Sequence, residues 1–251
     1  MIPGSLFSIF TVIFFSHVVQ TITGFAGSML ALPFLVLFIG LKKAKVLLMF
    51  IGIVWSLWIL FYDHQFVDWK IVKFVISFMS VGIIIGLFIA DQVPLIILLL
   101  SMGLIIITFS LSNLIRVSML REKKIEPLMK MRNFENIALV TASGVIQGMI
   151  IMGGPLLVMF ANHYITDKRV YRSTLSVIWI VLDFVILLYF FFEGVVNFSI
   201  LQLSLLCLIP LAFSIVLGNC LYARLNNRTF KIITNLTLLV MGIFIIIRIY
   251  V

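Results

Sequence analysis

"TITGFAGSM", residues 21–29, interrupts an apolar run that extends from Ser5 to Gly40 without one Asp, Glu, Lys or Arg. One helix crosses the hydrocarbon layer with about 20 residues. This run is too long for a single crossing, and it breaks near its middle at Gly24 and Gly27. A second run breaks in the same way at "MIIMGGPLL", residues 149–157.

The chain has 251 residues, 63% of them hydrophobic and only 11% charged, with a mean hydropathy of +1.29. Soluble domains sit nearer 45–50% apolar. Apolar segments fall at 5–23, 27–40, 44–62, 70–90 and 94–115, and then at 135–151, 154–166, 173–192, 198–220 and 229–250. Between the two sets lies a basic stretch, Arg116 to Arg132. These runs do not alternate as barrel strands would. The expected fold is an all-α polytopic membrane protein. Met1-Ile2-Pro3-Gly4 lacks the basic region of a signal peptide, so the first run reads as retained structure.

A net charge of +9 would point to nucleic acid in a soluble protein. Here the cations sit in loops and read as orientation signals, so no nucleic-acid partner is expected. Cys207 and Cys220 share one apolar stretch and offer neither a disulfide framework nor a metal spacing. No cofactor or metal is expected.

A shift of 127 residues places Ser16 on Ser143, Gln20 on Gln147 and Gly27 on Gly154. It also places Lys42 on Arg169, Lys45 on Arg172 and Tyr62 on Tyr189. Polar and glycine matches are rare in such a chain, and these cluster around the breaks. Residues 1–120 therefore read as a first repeat, 121–134 as a basic cytoplasmic linker, and 135–251 as a second repeat, all in one integral membrane domain. Each repeat is expected to hold a short broken or re-entrant helix pair followed by three long transmembrane helices. If each pair crosses an even number of times, the repeats are inverted. Fourteen basic residues then lie on one side and four on the other (Lys42, Lys43, Lys45 and Arg248). The positive-inside rule favours that arrangement, with both termini outside the cell membrane. The segment 27–40 makes about 21 Å of helix, short of a full crossing. Its tip is therefore expected at mid-depth.

Bare backbone inside a membrane must be shielded by protein or line a wet cavity. Helix N-termini gather N–H donors and partial positive charge, which suits an anion. Pro155 fits a helix start directly after Gly153-Gly154. Paired broken helices are also a pattern by which secondary transporters hold substrate. The bland alternative is close helix packing on small residues. The candidate binding residues are Gln20, Thr23, Gly24, Phe25, Ala26, Gly27 and Ser28 in the first half. In the second half they are Gln147, Ile151, Met152, Gly153, Gly154 and Pro155.

"ITGFAGSMLALPFLVLF" (22–38) and "GVIQGMIIMGGPLLVMF" (144–160) resemble the paired glycine-rich signatures of the sulfite exporter TauE/SafE family. The resemblance covers nearly the whole chain. It implies secondary transport of sulfur-containing anions such as sulfite, sulfoacetate or related organosulfonates. Ala26 and Ser28 stand where the family often has glycine, and Pro155 follows the glycine pair directly.

Ionisable residues within spans are candidate functional positions. Asp183 and His17 are the coupling candidates, each weighed against a structural role as a hydrogen-bonded buried group. Thr21, Thr23 and Ser28 could donate to a ligand or simply back-bond their own helices. Lys168, Arg169 and Arg172 could steer anions, and they serve orientation equally well. No GxxxxGK[ST] loop is present to use ATP, so an ion or proton gradient is the expected driving force. The expected function is a secondary transporter and not an enzyme, with an anion channel on the same fold, or a transporter of a different small organic anion, as the alternative. The expected partners are a small anion and the lipid bilayer, and a homodimer is compatible with the sequence.

Overall fold

A computed structural model describes residues 3–89, 95–119 and 133–250. The linker read at 121–134 lies outside the described residues except for Asn133 and Phe134. Eleven α-helices follow one another among the described residues, with no strand. They are α1 (Pro3–Thr23), α2 (Gly27–Ile39), α3 (Leu41–Asp63), α4 (Trp69–Ile89), α5 (Leu95–Met119) and α6 (Phe134–Ile150). Then come α7 (Gly154–Tyr164), α8 (Lys168–Phe192), α9 (Phe198–Leu206), α10 (Leu208–Ala223) and α11 (Asn227–Tyr250). Among the described residues, five spans are long and apolar enough to cross a membrane: 6–23, 41–66, 69–89, 168–192 and 198–223. The protein is a multi-pass helical membrane protein. Its outward-facing Phe61, Phe88, Phe192 and Phe213 suit a lipid surround.

Helix ends follow local chemistry. Asn133 caps α6, its side chain accepting from the Asn136 N–H, and Asn197 caps α9 through the Ile200 N–H. Asp68 accepts from the N–H groups of Lys70 and Ile71 at the start of α4. The apolar segment 198–220 departs from the expected single long helix. It is two helices that meet at Cys207. Pro210 is the cause: it lacks the N–H that would bond Leu206, and its ring crowds that carbonyl.

The helices form two compact units that do not follow the sequence halves. The first comprises residues 1–80 and 169–224, and the second 81–168 and 225–251. In the first unit α1 packs on α2 and α10, and α3 on α2 and α9. Gly218 of α10 faces Thr21 of α1, where any side chain would run into the threonine. In the second unit α11 packs on α5, and α6 on α7. Gly82 and Gly86 of α4 lie against the backbone of Thr141 and Val145 in α6, with no room for a Cβ. Gly103 of α5 and Gly242 of α11 meet face to face. Small residues of this kind let membrane helices approach closely, which is the packing role weighed for glycine above.

Candidate functional site

The first break belongs to the first unit. α1 ends at Thr23, and Gly24 turns the chain with φ +88° while its N–H donates to the Gln20 carbonyl at 2.6 Å. α2 then starts at Gly27 behind Ala26, with no side-chain cap. Its first-turn N–H groups lie outside the helical ladder, as the sequence led one to expect. Phe25, Ala26 and Gly27 are buried and Ser28 half-buried. The hydroxyls of Thr21 and Thr23 are committed elsewhere: they donate to the carbonyls of His17 at 2.7 Å and Val19 at 2.9 Å. This is the back-bonding that short hydroxyl side chains readily adopt in helices.

Three tryptophan and arginine contacts surround this break. Trp179 Nε1 donates to the Gly24 carbonyl at 3.0 Å, which pairs a main-chain acceptor that the break would otherwise orphan. Trp55 Nε1 donates to Thr21 Oγ1 at 2.9 Å. Arg172 packs its Cα and Cγ beside Gly24, 3.8 and 3.9 Å from where a Cβ would stand. Gly24 also faces Leu175, so the break lies beside the first third of α8. α1 has 21 residues, about 31 Å of helix, and is long enough to cross before the chain turns.

Arg172 is 6% exposed. Its Nη2 donates to Asp63 Oδ2 at 2.7 Å and its Nη1 to Asn219 Oδ1 at 2.8 Å. A longer contact of 3.4 Å runs from Nη1 to the Thr21 carbonyl. The guanidinium lies over the Tyr222 ring at 3.8 Å, a cation–π distance. Nε is buried without an acceptor. Gln20, 4% exposed, fills the space beside Gly27, and its Oε1 is also buried without a donor.

The second break belongs to the second unit, and residues of its own segment pair Gly153. Ile151 ends α6 at φ +57°, and its N–H donates to the Gln147 carbonyl at 3.0 Å. Gly153 N–H donates to Gln147 Oε1 at 3.0 Å, and Ser143 Oγ donates to the Gly153 carbonyl at 2.7 Å. Gly153 must be glycine, because the Ser143 carbonyl and Gln147 Cβ occupy the place of a side chain. α7 begins at Gly154, one residue before the expected start, with Pro155 in its first turn. Met152 is half-buried at the turn.

The coupling candidates lie off the breaks. His17 is fully buried in α1, with Nδ1 3.0 Å from the Ile13 carbonyl and 3.1 Å from Ser16 Oγ. Asp183 is buried one turn beyond Trp179 on α8, where Oδ2 occupies the space left by Gly52 of α3. The sequence reading did not single out Asp63, Asn219, Trp55 or Trp179 for this site, and it read Arg172 as steering anions or as an orientation signal. One signal was available. The 127-residue shift aligns Lys45 with Arg172, each four residues beyond the first residue of a long helix, and both are buried. A cation in that position inside an apolar helix is expensive enough to need a reason.

The family model described as Sulfite exporter TauE/SafE matches residues 9–245. No curated protein and no solved structure matches the chain.

Proposed function

The chain belongs to the sulfite exporter TauE/SafE family of membrane transporters, and we propose that it moves a small sulfur-containing anion by secondary active transport. Sulfite, sulfoacetate and related organosulfonates are the substrate class. The first break supports this reading: the N-terminus of α2 is uncapped, and the buried Arg172 of α8 packs beside Gly24 at the same break. Both favour negative charge, and main-chain donors let an anion be held and released without a committed counter-charge. On this reading the two halves are inverted repeats in the cell membrane, both termini lie outside, and a proton or ion gradient drives the cycle.

Lys42 pairs with Glu193 at 3.1 Å, and Lys45 is buried with its ammonium 5.9 Å from the centre of the Phe190 ring.

The test is flux in proteoliposomes holding the purified full-length chain. Sulfite and methanesulfonate uptake should saturate with concentration and respond to an imposed proton gradient. Flux that does not saturate and follows membrane voltage alone would make the protein a channel. Absence of movement of any sulfur-containing anion would refute the substrate class.

A further inference from the structure

Arg172 has several partners within the first unit, and its partnership is unequal. Asp63 engages it through one carboxylate oxygen at 2.7 Å. A structural arginine–carboxylate pair is strongest when two parallel bonds form, fork against fork. Here the second guanidinium nitrogen is given to Asn219, a neutral amide, and more distantly to the Thr21 carbonyl. The third, Nε, has no acceptor although it is buried. A buried N–H left unpaired is destabilising, and native proteins keep few of them.

That unmet donor lies on the residue that packs against Gly24. The same broken segment carries the uncapped start of α2 and the Gln20 amide, whose oxygen is buried beside Gly27 without a donor. Rotating that amide by a half-turn would present its two N–H donors there instead. The second break offers a direct comparison. Gln147, the counterpart of Gln20, already accepts from Gly153, and Ser143 closes the remaining carbonyl. The second break thus pairs its glutamine oxygen and both main-chain groups of Gly153, although α7, like α2, starts without a side-chain cap. The other keeps a cation, an amide and a helix N-terminus with capacity to spare.

We propose that the Arg172 guanidinium selects the substrate's negative charge at the first break, and that Asp63 is the internal carboxylate with which the incoming anion competes. This rests on the transport reading above. Arg172 is a specificity-determining residue here: oxyanions with two or more acceptor oxygens match its planar fork, and chloride does not. Asp63 keeps the guanidinium from standing as an uncompensated buried charge, and it sets how strongly an anion must bind to take its place.

The experiment measures sulfite binding to the detergent-purified full-length chain by titration calorimetry, with thermal melting alongside. Asp63→Asn removes the competitor and keeps the fork. Its melting temperature should fall, and saturating sulfite should restore more of it than in the parent, since the ligand then supplies the missing charge. Its Kd for sulfite should fall about tenfold. An unchanged or weaker Kd would overturn the proposal. The paired variant Arg172→Gln with Asp63→Asn leaves neither charge alone in the interior and should fold. It should show no saturable sulfite binding, and retained saturable binding would also overturn the proposal.

Thiosulfate, methanesulfonate, phosphate and chloride are run beside sulfite. If the parent ignores the sulfur anions and binds phosphate, the substrate class is wrong, and the same variants read with phosphate still decide the role of Arg172. If the parent binds none of them, both readings fall.

Discussion

Gly24 and Ile151 stand 127 residues apart and share one backbone arrangement. Each has positive φ, +88° and +57°, and each donates its N–H to the carbonyl of the glutamine four residues before it. A duplicated segment would leave this trace, since the turn is set by its own backbone and not by its surroundings. The two positions differ in chemistry. Glycine adopts that conformation without penalty, whereas an L residue with a Cβ loses roughly 1–2 kcal/mol there.

Ile151 is therefore held against a backbone preference, and its burial explains how. The residue is 2% exposed, and truncating such a side chain removes about 2–5 kcal/mol. Burial exceeds strain. Ile151→Gly should relax the backbone and still destabilise the protein by about 1–3 kcal/mol. Thermal melting in detergent checks this, and a variant more stable than the parent would show that strain dominates.

Gly24→Ala poses the opposite case. Its Cβ would meet Leu175 and Arg172 at 3.7–3.9 Å, an ordinary contact distance. The penalty is in the backbone alone and should be about 1–2 kcal/mol. Transport should weaken with stability largely kept. Gly153→Ala should be worse for folding, because there the new atom meets the Ser143 carbonyl.

Trp179→Phe keeps an aromatic ring beside the break and removes its N–H. The Gly24 carbonyl then loses its 3.0 Å donor in a buried place, at about 1–3 kcal/mol. Hydrogen exchange at residues 24–28 should speed up relative to the core of α3. Equal protection in variant and parent would show that the tryptophan does not hold the turn.

Glu193 follows α8 and accepts from Tyr189 Oη at 2.8 Å and Lys42 Nζ at 3.1 Å. The hydroxyl first, and the ammonium second, hold its carboxyl below the ordinary glutamate range. Its folded value thus lies below its unfolded one. The stabilisation is fully present above the unfolded value and is lost as pH falls through the folded one. Because Lys42 is solvent-exposed, the effect is small and salt-sensitive. Melting curves taken down through that acidic range should flatten in Glu193→Gln.

Much of this protein is legible along the chain. Apolar length marks the crossings, and glycine marks the breaks, because both act within a few residues of themselves. The starts of α2 at Gly27 and α7 at Gly154 follow from that local chemistry, as does the repeated turn at Gly24 and Ile151. Even the kink at Cys207 had its signal in Pro210, and only the continuous hydropathy of 198–220 hid it.

What the chain order could not show is which distant side chains reach the break. Arg172 finds Asp63 across 109 residues, and Trp179 finds the Gly24 carbonyl across 155. An arginine near a helix end reads equally well as a membrane-surface residue, and a tryptophan within a span shows nothing of its partner. Burial decided otherwise. An arginine taken from water must find partners wherever packing supplies them, and only the tertiary arrangement of α1, α3, α8 and α10 supplies them here.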